Sequence, residues 1–383
     1  MKILYVIPIF LDYRIPLFKR LNELFQGDFH ILYSPKRYII RFPNVLKKLN
    51  SSIPSILHEF HGDYLFNTRT MSFSKFSYEG KNIPFTIGLI RTIYKLSPNI
   101  VISEGFLGWT PYVLLYCVLC KKKLYIHYER TCHTERNTPA IVTFQRKLFD
   151  RFTTGYLVNG TETLNYLHSI GIEKNKIHIA GMSADPQIPK MIDCLDESEK
   201  MSLKEKYAVN QNGLIYLYVG RVSKAKGADR LIQAWQFHCK KYPQDSLLIA
   251  GDGELLEYYQ RQKIGGLHFL GRVNYENIYK LYSLADVFVI ATLQDNWSLV
   301  VPEAMSCGIP VATSIFNGCH TDLIKEGVDG YTFNPFDQNE IIETLEKFHY
   351  SDLSSMGQAA IEMEKPFNVE NSAIRIFDIL HKI

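Results

Sequence analysis

No apolar run in the chain approaches the ~20 residues that a membrane-spanning helix needs. The longest, such as Thr110–Cys120, reach about half that length. Cysteine is sparse: seven residues, an odd number, scattered over 383 positions, which argues against a disulfide framework and suits a reducing compartment. Cys117 and Cys120 form a C-x-x-C, but within YVLLYCVLC a core helix explains them better than a redox or zinc pair. Tandem repeats and low-complexity tracts are lacking. So is G-x-G-x-x-G after the first strand candidate, where PIFLDYR stands instead; this argues against a dinucleotide-dependent oxidoreductase. No Asp-x-Asp is placed to hold a divalent ion. The opening, MKILYVIPIF, has one lysine and no small-residue cleavage site, so it reads as a strand and not as a signal peptide. Neither charge sign dominates the whole chain, whose net charge is +4; with 46% apolar and 21% charged residues it has ordinary globular composition.

What is present divides the chain in two. Residues 1–190 carry 25 Lys/Arg against 13 Asp/Glu (+12), and residues 191–383 carry 18 against 26 (−8). Short β-branched and aromatic runs alternate with amphipathic stretches throughout. Strands are predicted at Ile3–Ile7, Phe29–Tyr33, Asn99–Ser103, Leu124–His127, Gly155–Val158 and Lys176–Ile179. They resume at Leu214–Val219, Ser246–Ala250, Leu267–Leu270, Val287–Ala291 and Pro310–Thr313. Helices are predicted at Arg14–Phe25, Ile87–Lys95 and Thr138–Phe149, and beginning near Gly227, Glu254, Tyr275, Leu299 and Thr321. Strand–helix alternation at this period implies an α/β fold of doubly wound parallel sheets. The polar, proline-containing stretch where strand candidates pause gives the division: a first domain at 1–185, a connection at 186–212, a second domain at 213–365 and a terminal helix at 366–383. Ligands of such sheets bind beyond the carboxyl ends of the strands, so a cleft between two facing domains is expected.

The most informative segment is ADVFVIATLQDNWSLVVPEAMSCGIPVATS, residues 285–314. A buried strand runs into a polar loop and then a helix with Pro302 in its first turn. Asn296, Trp297, Ser298 and Leu299 are thereby expected to present backbone N–H groups at a helix N-terminus, a ready phosphate site. Asp295 and Glu303 stand eight apart and can face one ligand; taken alone, they also read as a capping acid and a solvated helix residue. A second segment, Gly220-Arg221-Val222-Ser223-Lys224-Ala225-Lys226-Gly227, follows a strand and opens a helix. It lacks the Gly-Lys-Ser/Thr of a P-loop, yet sets two cations, Arg221 and Lys226, beside a helix N-terminus.

These segments resemble the donor-binding signature of glycosyltransferase family 4, retaining enzymes of the GT-B fold. The likeness rests on an acid, seven residues and a glutamate (Asp295, Glu303), with an aromatic residue two places after the first acid (Trp297). Ala304 and Met305 follow, then Cys307-Gly308-Ile309-Pro310-Val311. Asp295 replaces the usual Glu and Ser298 a common Gly. LLIAGDGELL (247–256), LHFLGRV (267–273) and residues 317–331, with Asp322, Gly327 and Gly330, continue the likeness in order. The resemblance implies two Rossmann-like domains facing a central cleft, with a C-terminal helix, Val369–Leu380, crossing back to the first. It implies a UDP- or GDP-sugar as donor, with Arg221 and Lys226 on the diphosphate and Glu303 on the ribose. Asp295 and residues 296–299 would surround the sugar, and Gly220, Gly251, Gly271 and Arg272 would line the nucleotide. Fixed cations stabilise the charge that gathers on a departing diphosphate, so no metal and no cofactor is expected.

The first half matches less closely. IPIFLDYRIPLF resembles the opening of bacterial polysaccharide-assembly members of the family. Arg14 is a candidate to hold a phosphate, or equally a structural ion-pair partner. LYIHYERTCHTERN follows a strand, so His127 and Glu129, with Arg130 and His133, are candidates for activating or holding an acceptor hydroxyl; Glu104, after another strand, is a further one. His127, Cys132 and His133 lie too close in sequence to share a zinc tetrahedron easily. Between Phe29 and His58 no acid occurs, while Lys36, Arg37, Arg41, Lys47 and Lys48 alternate with Tyr38, Ile39, Ile40, Phe42 and Leu46. That pattern suits an anionic membrane surface, at about 1 kcal/mol per basic residue; no recognised nucleic-acid module surrounds it. The expectation is a cytoplasmic, membrane-peripheral hexosyltransferase acting on a glycan or undecaprenyl-linked acceptor in O-antigen, lipooligosaccharide or capsule synthesis. A nucleotide-sugar 2-epimerase of the same fold, or a non-catalytic partner subunit, is the alternative.

Overall fold

A computed structural model describes residues 1–35, 57–62, 64–65, 84–183, 186–207, 209–210 and 212–382. The chain divides into two compact units, Met1–Gly181 with Val369–Ile383, and Met182–Asn368. In the first unit the strands are β1 (Ile3–Ile7), β2 (Phe29–Tyr33), β3 (Leu57–Glu59), β6 (Ile100–Glu104), β7 (Lys123–Tyr128), β8 (Gly155–Val158) and β9 (Ile177–Ile179). They form one parallel sheet in the order β3-β2-β1-β6-β7-β8-β9. A short antiparallel pair, β4 (Tyr64–Leu65) with β5 (Pro84–Phe85), stands apart from it. In the second unit β10 (Ile215–Val219), β11 (Ser246–Ala250), β12 (Leu267–Gly271), β13 (Val287–Ile290), β14 (Val311–Ser314) and β15 (Gly330–Phe333) follow. They form a parallel sheet in the order β12-β11-β10-β13-β14-β15.

Alternation along the strands explains why both faces are covered. Ile3, Tyr5 and Ile7 enter one apolar core with Phe18, Leu21, Phe29 and Ile31. Leu4 and Val6 enter another on the opposite face, with Trp109, Val113, Leu124 and Tyr156. Successive strand residues point to opposite faces, so a run such as ILYVI, buried throughout, needs helices on each side. Helix Val369–His381 closes the first of these cores. Ala373, Ile376 and Leu380 lie on one helical face and are buried there, and Phe377 meets Phe25 at 4.9 Å between ring centroids. Burial of Ile376 and Leu380 contributes about 3–6 kcal/mol together. The Arg20–Glu370 pair at 2.7 Å is exposed and adds little beside that burial.

The predicted strands all form, within a residue or two of their expected ends. Three strands were not anticipated in the first unit: the edge strand β3 and the pair β4–β5. In the second unit β15 closes the sheet beside β14. Between Met182 and Ile215 the described residues hold two helices, Gln187–Ile192 and Glu197–Lys206, and no strand; both belong to the second unit. The second helix starts on a capping box, with the Asp196 carboxylate accepting from the Glu199 N–H and the Glu199 side chain returning to the Asp196 N–H. In each sheet the strand order reverses once, between β1 and β6 and between β10 and β13. Loops diverge at those two points, and crevices open beyond the strand ends.

Candidate active site

Several residues expected to bind the donor gather at the carboxyl ends of β10 and β13, on either side of the second reversal. Gly220 and Arg221 directly follow β10, and the loop ends at Gly227, whose φ of +64° starts helix Ala228–Lys241. No side chain fits there: a Cβ on Gly227 would stand 1.8 Å from the Ala291 carbonyl oxygen. Gly251 is equally constrained, since its Cβ would lie 1.7 Å from the Gly220 carbonyl oxygen. The loop after β13 is thereby pressed against the loop after β10, and the Leu293 N–H donates to the Ala225 carbonyl at 3.1 Å.

This close approach joins Lys226 to Asp295. The Lys226 ammonium donates to Asp295 Oδ2 in an ion pair whose side chains are 26% and 15% exposed. The same oxygen accepts from Ser298 Oγ at 2.5 Å, and Asp295 Oδ1 accepts from the Trp297 N–H at 3.3 Å. Burial alone would push the Asp295 carboxyl up; Lys226, Ser298 and the Trp297 N–H outweigh it and hold the group below the usual carboxylate range. Asp295 is therefore no helix cap. Helix Val300–Ser306 begins after Leu299 without a side-chain cap.

The expected row of N–H groups at residues 296–299 is also partly corrected. The Trp297 N–H is engaged by Asp295, and the Ser298 N–H donates to Asn317 Oδ1 at 3.2 Å. Asn317 is buried, and its amide donates to Thr313 Oγ1 at 3.0 Å. The segment around it pairs with Asp295, which donates its N–H to the Phe316 carbonyl and accepts from the Gly318 N–H. Trp297 stacks near Phe367, with centroids 5.3 Å apart. Its indole N–H and the Asn296 Oδ1 find no hydrogen-bond partner among the described residues.

Glu303 is not a solvated helix residue, for only 6% of it is exposed. Its carboxylate accepts from the Tyr282 hydroxyl at 2.9 Å and the Tyr275 hydroxyl at 3.2 Å. Burial, then the Glu303 carboxylate, push the Tyr282 phenol well above its ordinary value, so it remains a donor. Gly271 ends β12 with φ of +65°, and Arg272 follows it, exposed. Arg221 is exposed as well, and its carbonyl accepts from the Tyr218 hydroxyl at 2.7 Å.

In the first unit four candidates converge at the reversal between β1 and β6. Arg14, 3% exposed, contacts Glu104 Oε1 at 2.7 Å and Glu129 Oε1 with the same Nη2. Its Nη1 donates to the Tyr5 hydroxyl and, at 2.8 Å, to His127 Nδ1. Arginine only donates, so His127 Nδ1 carries the lone pair and the ring is neutral with its proton on Nε2. Burial and then Arg14 hold this imidazole well below its ordinary value. Burial pushes the Glu104 carboxyl up to about 7 against the pull of Arg14, and Glu129 adds to the rise.

Of the two readings of Arg14, the ion-pair partner is the one seen here, since it is committed to two carboxylates. Arg130 turns to Glu135 at 3.0 Å, an acid that also pairs with Arg146 at 2.7 Å, and the His133 carbonyl accepts from Arg136 Nη1. The cationic stretch at Lys36, Arg37, Arg41, Lys47 and Lys48 lies outside the described residues. Sequence reasoning missed Tyr5, Tyr275, Tyr282 and Asn317. The spacing of seven between Tyr275 and Tyr282 was a usable sign, since two helical turns set both on one face. Asn317 stands at the start of the 317–331 stretch, but its side chain was not singled out there.

Two doubly wound parallel sheets, with a terminal helix returned to the first, make up the GT-B architecture, and this chain has it. HepE from Anabaena, solved in complex with UDP, superposes with a TM-score of 0.76 at 15% identity, covering 100% of each chain. WaaG, a glycosyltransferase involved in lipopolysaccharide biosynthesis, does so at 0.66 and 14% identity, covering 99% of each. Within this architecture residues 199–363, most of the second unit, match the family described as Glycosyl transferases group 1. An uncharacterized glycosyltransferase of Methanocaldococcus jannaschii is 34% identical over 149 residues, 37% of this chain, and the chain spans 38% of that relative's length. Among the described residues no helix is long and apolar enough to cross a membrane.

Proposed function

We propose that the protein is a retaining glycosyltransferase that moves a sugar from a nucleoside diphosphate sugar to a glycan acceptor. The observation that carries this reading is the Lys226–Asp295 pair at the reversal of the second sheet, with Arg221 on the same loop as Lys226. Diphosphate would draw Lys226 and Arg221, and Asp295 would then accept from the sugar hydroxyls. Glu303, held by two phenols, is suited to the ribose diol. HepE, of the same fold, has been solved with UDP-glucose, which supports a uridine donor. In the transfer the bond from the anomeric carbon to the phosphate oxygen breaks and the bond to the acceptor oxygen forms on the same face. The acceptor proton passes to the leaving phosphate. Lys226 and Arg221 meet the charge gathered there, and no divalent ion is needed in this scheme.

The acceptor in this reading is lipid-linked and presented at an anionic membrane, as in O-antigen, lipooligosaccharide or capsule assembly. Helix Ala140–Asp150 supports it: Ile141, Phe144 and Leu148, spaced three and four apart, are exposed on one stripe, and Phe152 extends it. Exposed Lys147 and Arg151 lie beside these residues, an arrangement that suits an anionic lipid surface. The function is tested by following nucleotide release from UDP- and GDP-sugars, with and without a lipid-linked glycan extract. Acceptor-dependent release that falls at least tenfold in Arg221→Ala is expected; equal turnover by that variant refutes the donor assignment. Phe144→Glu with Leu148→Glu should reduce flotation with phosphatidylglycerol vesicles. Unchanged flotation removes the membrane from the account.

A further inference from the structure

We propose that His238, Asp245 and His349 form a zinc site at the amino-terminal edge of the second sheet. His238 lies on helix Ala228–Lys241, Asp245 directly precedes β11, and His349 sits in the 3-10 turn Phe348–Tyr350. This edge is the opposite end of the sheet from Lys226 and Asp295, and the proposal does not rest on the donor reading.

The three side chains converge on one atom. His238 Nε2 lies 2.8 Å and His349 Nε2 2.7 Å from the same carboxylate oxygen, Asp245 Oδ2. The other oxygen, Oδ1, is engaged by the Leu214 N–H at 2.9 Å, which fixes the carboxylate with Oδ2 toward the histidines. His238 and Asp245 are fully buried, while His349 is partly exposed. The Tyr242 ring stacks on both imidazoles, at 3.8 Å from His349 and 5.0 Å from His238, and so sets their planes. His349 also lines a cavity of about 280 Å³ with Lys204, Asn212 and Asp286, which gives an ion a way in and leaves room for a water as fourth ligand.

Two imidazoles and one carboxylate are a zinc donor set; magnesium and calcium prefer oxygen alone. Tetrahedral zinc at about 2.0–2.1 Å from each ligand places ligand atoms about 3.3 Å apart, so the cluster must open by about 0.5 Å. His349, on a three-residue turn near the surface, is the side chain able to supply that movement. Each imidazole would move its proton from Nε2 to Nδ1 on binding. His238 Nδ1 is buried without a partner among the described residues, so this exchange forfeits no hydrogen bond there. A bound ion would tie helix Ala228–Lys241, the start of β11 and the 348–350 turn together.

The test uses the full chain with Cys132→Ser and Cys194→Ser, since these two exposed thiols would compete for zinc. After dialysis against chelator it is titrated with zinc by calorimetry and with cobalt(II) by visible spectroscopy. One zinc per chain, the intense visible band of four-coordinate cobalt and a zinc-dependent rise in melting temperature are expected. His349→Gln retains a hydrogen-bond donor toward Asp245 and should lose all three while melting normally in EDTA. No stoichiometric zinc, or equal binding by the variant, overturns the site and leaves a hydrogen-bonded cluster.

Discussion

Replacing Lys226 by methionine keeps most of the apolar stem of the side chain and removes its charge, leaving Asp295 in place with two of its three donors. Breaking one partner of a fully buried pair costs about 3–5 kcal/mol, and an exposed pair contributes about 0–1 kcal/mol. Lys226 and Asp295 are 26% and 15% exposed, so the expected loss lies between, at about 1.5–3 kcal/mol. For a unit of this size each kcal/mol moves the melting temperature by about 2–4 °C, which places the drop at roughly 3–12 °C. The pH dependence carries the sharper test. In the wild type the Asp295 carboxyl is held below its ordinary value, so its stabilising contribution is present above that value. It is lost as pH falls through the depressed one. Without Lys226, burial dominates and raises the carboxyl, so the ionised form destabilises the fold near neutrality and protonation relieves it. Urea unfolding at several pH values should therefore show the widest gap between wild type and Lys226→Met near pH 7, narrowing toward pH 4. A constant gap, or none, would refute the assignment of Lys226 as the group that keeps Asp295 ionised. Adding Asp295→Asn to the variant should recover part of the stability, because the uncompensated charge goes with it.

Other consequences are as direct. Glu303→Gln should weaken UDP binding about tenfold to a hundredfold by calorimetry, since hydrogen bonds to a charged group contribute about 1.5–3 kcal/mol; unchanged affinity would detach Glu303 from the nucleotide. Glu104, raised from 4.5 to about 7, contributes stability that is fully present below pH 4.5 and lost as pH rises through 7. Glu104→Gln should accordingly gain on the wild type between pH 5 and pH 8 in chemical unfolding, and parallel curves would contradict the shift. Gly251→Ala puts a methyl group into the Gly220 carbonyl and should unfold the second unit or displace the Arg221 loop. A soluble variant with unchanged UDP affinity would show that the two loops need not touch.

The architecture was legible because its signals are local and repeated. ILYVI and its counterparts state their burial in their own composition, and the helices between them state theirs by period. The terminal helix is equally plain, with Ala373, Ile376 and Leu380 on one face. The brief strands β3, β4 and β5 carry two or three residues each, too few for a period to register. At the site the residue types were visible and their partners were not. Lys226 and Asp295 are 69 positions apart, and nothing in either segment says that a glycine at 227 brings the loops into contact. Arg14 illustrates the reverse case: an arginine at a helix start suits phosphate until Glu104 and Glu129, from two other strand ends, arrive beside it. Asn317 organises the Asp295 loop from the start of the 317–331 stretch, whose likeness pointed to Asp322 and two glycines and gave Asn317 no role.

The proposed nucleoside diphosphate site in the loops after β10 and β13 would be served by protein cations alone. Calorimetric titration of the full chain with UDP and GDP in the presence of EDTA tests this. Saturable binding of one nucleotide per chain is expected without a divalent ion, weakened tenfold or more in Arg221→Ala at unchanged melting temperature. Absence of binding, or equal affinity in that variant, would contradict it.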